Sequence, residues 1–407
     1  MSKLSYEDLS IACSSGGSST LVSRTELMPA GGTYASIAPA KFVAKGRDAK
    51  GAYAYETRFV DGESRDVVLI DSKQSCLNRI EAQIKRATED GDAPLSQAPH
   101  IAVRYRADGE DVVYSDLDLP HRAFDAHIRA GTVEGQPVTK NDEYKAIRNA
   151  SPANARALLD SCPGALVFGS WDATRKSHQG RWRSALVGEI IGVLPEGHSG
   201  EPAFKGGARV DPVAMQVNVG GLVMKELADA QQDELSSKTH SEITKAAAKL
   251  KKGEAGSASK LGFGGIPPTL ESLAGVSCAR IIRTHVLSFA ALRQMRFGSG
   301  KDADVACRAL LAAYALAGLA RADQELYLRA NCDLREAGPT EVELDERGGA
   351  VRILEPLTVE DADDLLATAL QVAQDVAGVD WSGQTFLVDG NEHVFAGALD
   401  AVDEETD

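Results

Sequence analysis

Apolar and polar residues alternate from Ser19 to Leu27, and the run stops at Pro29-Ala30-Gly31-Gly32, which predicts a first β-strand closed by a turn. A hairpin is expected through Tyr53 to Phe59, turning at Asp61-Gly62. The run Val67-Val68-Leu69-Ile70 then reads as a buried strand that breaks into a polar turn and continues as a helix. Ser72 or Ser75 can cap that helix by accepting a hydrogen bond from an unpaired backbone N–H. Proline at a first-turn position predicts a helix over Pro120 to Arg129. Gly164 to Phe168 and Ala185 to Leu194 read as buried strands, and so does Ala279 to Leu287. A short helix is expected over Ser288 to Arg296 and a long apolar one over Ala303 to Leu319. A strand is expected over Glu325 to Leu334 and a helix over Val359 to Val376. By contrast, Leu227 to Gly265 is polar and finally Gly/Ser-rich, with a Lys-bearing helical patch at Lys245, Lys249, Lys251 and Lys252; it predicts a mobile projection with little core. Strands interspersed with helices predict an α+β fold.

Composition allows a large core, since 43% of the 407 residues are hydrophobic. The longest apolar stretch, Ala309 to Ala320, lies between Arg308 and Arg321 and is too short to span a bilayer, so a core helix and no membrane association are expected. Glu7 and Asp8 interrupt the first residues where a secretory signal needs an apolar segment, which points to the cytoplasm. Six scattered cysteines without a C-x-x-C pair suggest neither a zinc site nor a disulfide framework, and no cofactor is expected.

Charge changes the picture more than composition does. The formal net charge is −15, yet 18 acidic residues against Arg347 and Arg352 put −16 on residues 341–407, which leaves +1 on residues 1–340. A near-neutral body with basic segments and an acidic end suits a polyanion partner or a self-association surface. No acidic residue occurs between Glu271 and Asp302, where Arg280, Arg283, His285, Arg293, Arg296 and Lys301 gather around Phe289 and Phe297. Phe168 to Arg183 interleaves Trp171 and Trp182 with Arg175, Lys176, Arg181 and Arg183. Cations for phosphates and flat faces for bases are what single-stranded nucleic acid requires. With aromatics at only 5%, backbone contacts should outweigh stacking. The predicted helix after Ile70 also opens with Lys73, Gln74, Ser75, Asn78 and Arg79, side chains that suit an anion at a helix N-terminus.

Enzyme signatures fail one by one. Gly298-Ser299-Gly300-Lys301-Asp302 has the end of a P-loop, but Met295 stands where the first glycine belongs and Asp302 where Ser or Thr is needed. His121, Arg122, Asp125 and Arg129 have the spacing of ordinary helix-surface ion pairs. No G-x-S-x-G elbow is present.

Six blocks in consistent order, Val68 to Glu81, Pro120 to Asp125, Ala165 to Asp172, Arg209 to Pro212, Gly265 to Pro268 and Val286 to Phe297, resemble the backbone subunit of the type I-G (formerly I-U) CRISPR effector, a family of the RAMP superfamily. The resemblance implies an RRM-like (ferredoxin-like) palm over residues 1–340 with inserted fingers and a thumb, the thumb or finger being residues 227–265. Residues 341–407 would be an acidic segment packed on the palm, with a disordered end from Asp400. It further implies a non-catalytic subunit that binds CRISPR RNA. Copies would stack head to tail in a helical filament beside the large subunit and the guide-processing or capping subunit of Cascade, presenting the guide to target DNA. Arg24, Lys73, Gln74, Ser75, Asn78, Arg79 and Arg122 are the implied RNA contacts, with Arg175, Lys176, Arg283 and Arg293. The competing reading within the superfamily is an endoribonuclease that cuts bound RNA with an acidic residue such as Asp71 or Asp172.

Overall fold

The computed structural model describes residues 1–43, 51–107, 110–172, 174–176, 180–197, 204–207, 217–264 and 269–394. The Arg209 to Pro212 and Gly265 to Pro268 blocks and the acidic end from Asp400 lie outside them. Two compact units are present, one formed by residues 1–201 and 276–395 and the other by residues 202–275 and 396–407.

In the first unit, α1 (Tyr6–Cys13) is followed by β1 (Thr20–Pro29), the hairpin β2 (Tyr55–Val60) and β3 (Glu63–Asp71), and α2 (Lys73–Asp90). Then come β4 (His100–Ala107), β5 (Glu110–Ser115), α3 (Asp142–Asn149), β6 (Leu186–Val193), β7 (Arg280–Ser288) and α4 (Lys301–Glu325). The chain ends in β8 (Leu334–Glu336), β9 (Glu341–Asp345), β10 (Val351–Leu354), α5 (Val359–Ala377) and β11 (Thr385–Asp389). The main sheet runs β10-β9-β1-β7-β6-β3-β2, antiparallel throughout, with β8 beside the end of β1. The fold is α+β. Within it, β9-β1-β7-β6 is the spatial order of a βαββαβ unit whose helices are α2, between β1 and β6, and α4, between β7 and β9.

Period-two alternation divides the sheet into two faces. Leu21, Ser23, Thr25 and Leu27 of β1 point into the core, while Arg24 and Glu26 are exposed on the opposite face. The helices cover the inner face. Alanine and leucine surround α4 on nearly every side, so it is buried all round, as such a composition requires. It packs between α2 and α5. Gly318 permits the close approach to α2, because a Cβ there would lie 2.6 Å from Ile84 Cδ1 and 3.0 Å from Ile80 Cγ2.

Three expectations need correction. Gly164–Val167 is one turn of helix, not a strand; all its residues are buried, and a short apolar run carries no period to separate the two forms. Pro120 to Arg129 is a 3-10 turn at Arg122–Phe124 and a separate turn at Ala126–Arg129, split by Asp125, whose carboxylate caps the second. The alternation in Glu325 to Leu334 is no strand, since α4 runs through Glu325 and the ladder begins only at Leu334. Beyond residue 340, β9 and β10 extend the main sheet, α5 packs on α4, and β11 joins β4 in parallel, so residues 341–389 are part of the first unit's architecture.

In the second unit, helices Gly221–Ala230 and Ser237–Lys249 pack on each other. They bury Met224, Ala228, Ile243 and Ala247 with Ala258 and Leu261. Residues 227–265, expected to have little core, thus bury a small one of their own over the described residues. The helical patch expected at the lysines is the end of Ser237–Lys249, which buries the i, i+4 pair Ile243 and Ala247.

All six cysteines are free, five of them buried and Cys278 partly so. Burial pushes the thiols of Cys13 and Cys307 up to about 12.

The packing is open to two tests. Gly318→Val should lower unfolding free energy by roughly 1–3 kcal/mol through overpacking, as measured by urea denaturation. Asp116 is fully buried, accepts hydrogen bonds from Ile101 N (3.1 Å) and Cys162 Sγ (2.9 Å), and is pushed by that burial up to about 7. Its folded pKa therefore exceeds its unfolded one, so its favourable contribution is complete below pH 4 and is lost as pH rises toward 7. Asp116→Asn should remove roughly 2–4 kcal/mol of that pH dependence, read as the difference in melting temperature between pH 4 and pH 8.

Candidate nucleic-acid interface

The β3–α2 junction forms around a carboxylate. Asp71 ends β3 fully buried, and both its oxygens are held: Arg79 donates from Nε (3.2 Å) and Nη2 (3.3 Å), Arg329 from Nη2 (2.8 Å), and the Cys76 thiol at 3.2 Å. Ser72 is the N-cap, with its hydroxyl accepting from Ser75 N–H at 3.3 Å. The guanidiniums also bind backbone, Arg79 donating to the carbonyls of Tyr327 and Leu328 and Arg329 to that of Ile70. The chain after α4 is thereby fastened to the start of α2.

Lys73, Gln74 and Asn78 are left exposed on the first turns of α2, with Ser75 and Arg79 half-buried beside them. Lys73 makes no ion pair at contact distance among the described residues, although its charge acts on the Glu189 carboxylate of β6. Its ammonium stands near orphan N–H groups at the positive end of an 18-residue helix with no acidic side chain in its first turn.

Arg24 lies on the open face of the sheet, 2.5 Å from Glu343 and 4.0 Å from Glu341 on the neighbouring β9. Elsewhere on that sheet Arg58 pairs with Glu189, and Arg280 with Glu26 and Asp61. These half-exposed pairs are weak, of order 0–1 kcal/mol each, and can exchange partners with a phosphate.

Two of the expected contacts are internal. Arg122, at φ 48°, is buried against Glu81 of α2, donating from Nη2 at 2.7 Å and also from Nε; its Nη1 donates to Gly169 O at 2.6 Å, and the guanidinium lies 5.8 Å from the centre of the Phe168 ring. Arg283 is 2% exposed and held by Thr25, Asp323 and Glu336. Sequence spacing cannot separate a buried structural arginine from an exposed one, so both had the type but not the position of an RNA contact.

The remaining candidates lie elsewhere on the unit. Arg175 donates to Arg148 O and Asn149 Oδ1, whereas Lys176 is exposed without an ion pair among the described residues. Trp171 is half-exposed with the Arg181 guanidinium 5.3 Å from its ring centre. Arg293 anchors to Ser18 O at 2.6 Å and borders a cavity of about 830 Å³ with Arg296, Lys301, Arg308, Ser14 and Ser15. Arg308 is spent on Met295 O and Asp304, but Arg296 and Lys301 are exposed and have no ion-pair partner among the described residues. The basic stretch before Asp302 was the signal for these two.

Among the described residues no cluster of His, Cys, Asp or Glu could hold a metal ion. Asp172, the other acidic candidate, is buried and gripped by Arg148 at 2.6 and 2.9 Å.

A family model described as CRISPR-associated protein GSU0053 matches residues 21–195, from β1 through β6 and including the β3–α2 junction. The match covers under half of the chain and supports a CRISPR-associated protein. No curated protein matches the chain.

Removing the buried guanidinium tests the assignment of Arg122. Arg122→Ala leaves Glu81 uncompensated inside the protein and should cost about 3–5 kcal/mol in a denaturant titration. The folded fraction should keep its nucleic-acid affinity.

Proposed function

We propose that this chain is a non-catalytic, CRISPR RNA-binding backbone subunit of a type I-G Cascade complex. Copies oligomerise along the guide RNA and present it for pairing with target DNA in antiviral defence. The observation that carries this reading is the start of α2, where Lys73, Gln74 and Asn78 stand free on an anion-favouring helix end inside the segment that matches the CRISPR-associated family model. Arg24, Ser75, Arg175, Lys176 and Arg293 complete the proposed contacts, Arg79 serving as the brace that holds Asp71 and the turn at Tyr327, and Arg296 and Lys301 join them from the cavity that Asp302 and Asp304 also line. An RRM-type βαββαβ sheet is a suitable platform for single-stranded RNA.

Identical subunits that meet through two different surfaces form an open helical array, whose length the RNA would set. The large subunit and the guide-processing or capping subunit would close its ends. The cytoplasm is the proposed location.

The alternative of an RNA-cleaving subunit is disfavoured by the surroundings of its two acidic candidates. Asp71 is enclosed by two arginines and a thiol, and Asp172 by Arg148, so neither carboxylate is presented to a bound strand.

Co-expression with a CRISPR array tests the proposal. Purified at low salt, the protein should carry RNA of defined length, with affinity falling steeply as salt rises. The triple variant Lys73→Ala, Arg296→Ala, Lys301→Ala should reduce the slope of log affinity against log salt by about 0.7 for each phosphate that is no longer neutralised. A nucleic-acid-free protein at every salt concentration, with its effector partners present, would overturn the reading.

A further inference from the structure

We propose that the shallow pocket between the first turns of α2 and the end of α4 is a nucleobase site, in which Tyr327 stacks on an unpaired base of the bound RNA. This rests on the RNA-binding reading and adds a base contact to the phosphate contacts proposed above.

Tyr327 is 79% exposed, directly after Leu326 at φ 43°. A lone exposed tyrosine would need no explanation. This one sits on a braced turn, because Arg79 donates to the carbonyls of Tyr327 and Leu328, and Arg329 ties the same segment to Ile70 O at 2.6 Å. The backbone is fixed while the ring is left in solvent, an arrangement that makes a platform rather than a core residue that failed to pack.

The ring borders a pocket of about 310 Å³. Its α2 wall is built from positions three and four apart, Ser75, Asn78 and Ala82, which fall on one helical face. Gln83 stands beside them, and Glu325 closes the side formed by α4. Charge decides what this pocket can accept. The Arg79 guanidinium is consumed by Asp71 and two carbonyls, and Glu325 is exposed without an ion-pair partner among the described residues, so a phosphate would meet a carboxylate with no free cation to offset it. A neutral base meets an aromatic face together with amide donors and acceptors on Asn78 and Gln83 and the hydroxyl of Ser75.

The test uses the full chain and two fluorescently labelled single-stranded RNAs of one length, the first with bases and the second abasic throughout, titrated at several salt concentrations. Wild type should bind the base-containing strand more tightly. Tyr327→Ala should weaken that binding roughly five- to a hundredfold with the salt slope unchanged, while leaving the abasic strand unaffected. Tyr327→Phe should behave as wild type. Equal binding of the base-containing strand by wild type and Tyr327→Ala would overturn the inference and leave RNA binding intact. A loss confined to a DNA version of the strand would also overturn it, by moving the base from guide to target. Failure of wild type to bind either RNA would remove the functional reading and this inference together.

Discussion

The arrangement around the start of α2 depends on one buried carboxylate. A charge in Asp71's position costs several kcal/mol to desolvate, and the protein offsets that cost with two guanidiniums and a thiol. The partners arrive from two places, Cys76 and Arg79 from α2 and Arg329 from the chain after α4. The cluster therefore fixes where β3 stops, where α2 begins and how the segment after α4 lies. The exposed lysine and amides of α2 and the braced tyrosine opposite them take their positions from it.

The tight seam between α2 and α4 reinforces that geometry. With hydrogen rather than a methyl at Gly318, the two helices meet at the isoleucines of α2, and a sliding motion of one past the other would open a void or a clash. The exposed first turns of α2 are thus carried on a closely packed helix pair.

Much of this was legible in the sequence, though unevenly. β1, β3, β7 and α4 were readable because each spans enough residues to show its period or an unbroken apolar composition. The helical turn at Gly164 and the stretch after Glu325 were not, since four to ten residues of mixed character fit more than one backbone. The helical patch bearing Lys245 and Lys249 was readable, but its buried face was not, because only Ile243 and Ala247 of Ser237–Lys249 are buried. Among the candidate contacts, Lys73 and Asn78 were found by type and spacing, and both are exposed. Arg122 and Arg283 satisfied the same criteria but are buried, because the carboxylates that hold them, Glu81 and Glu336, come from distant parts of the chain. Burial of a cation is a tertiary fact, and no local pattern reports it.

The thiols have a consequence for crowding. A sulfur attacks as its thiolate, and that form is suppressed where burial raises the pKa, as at Cys13 and Cys307. Even Cys278, which is partly open, is pushed up to about 12 by burial. Copies of the chain brought to high local concentration would therefore be slow to cross-link through these thiols.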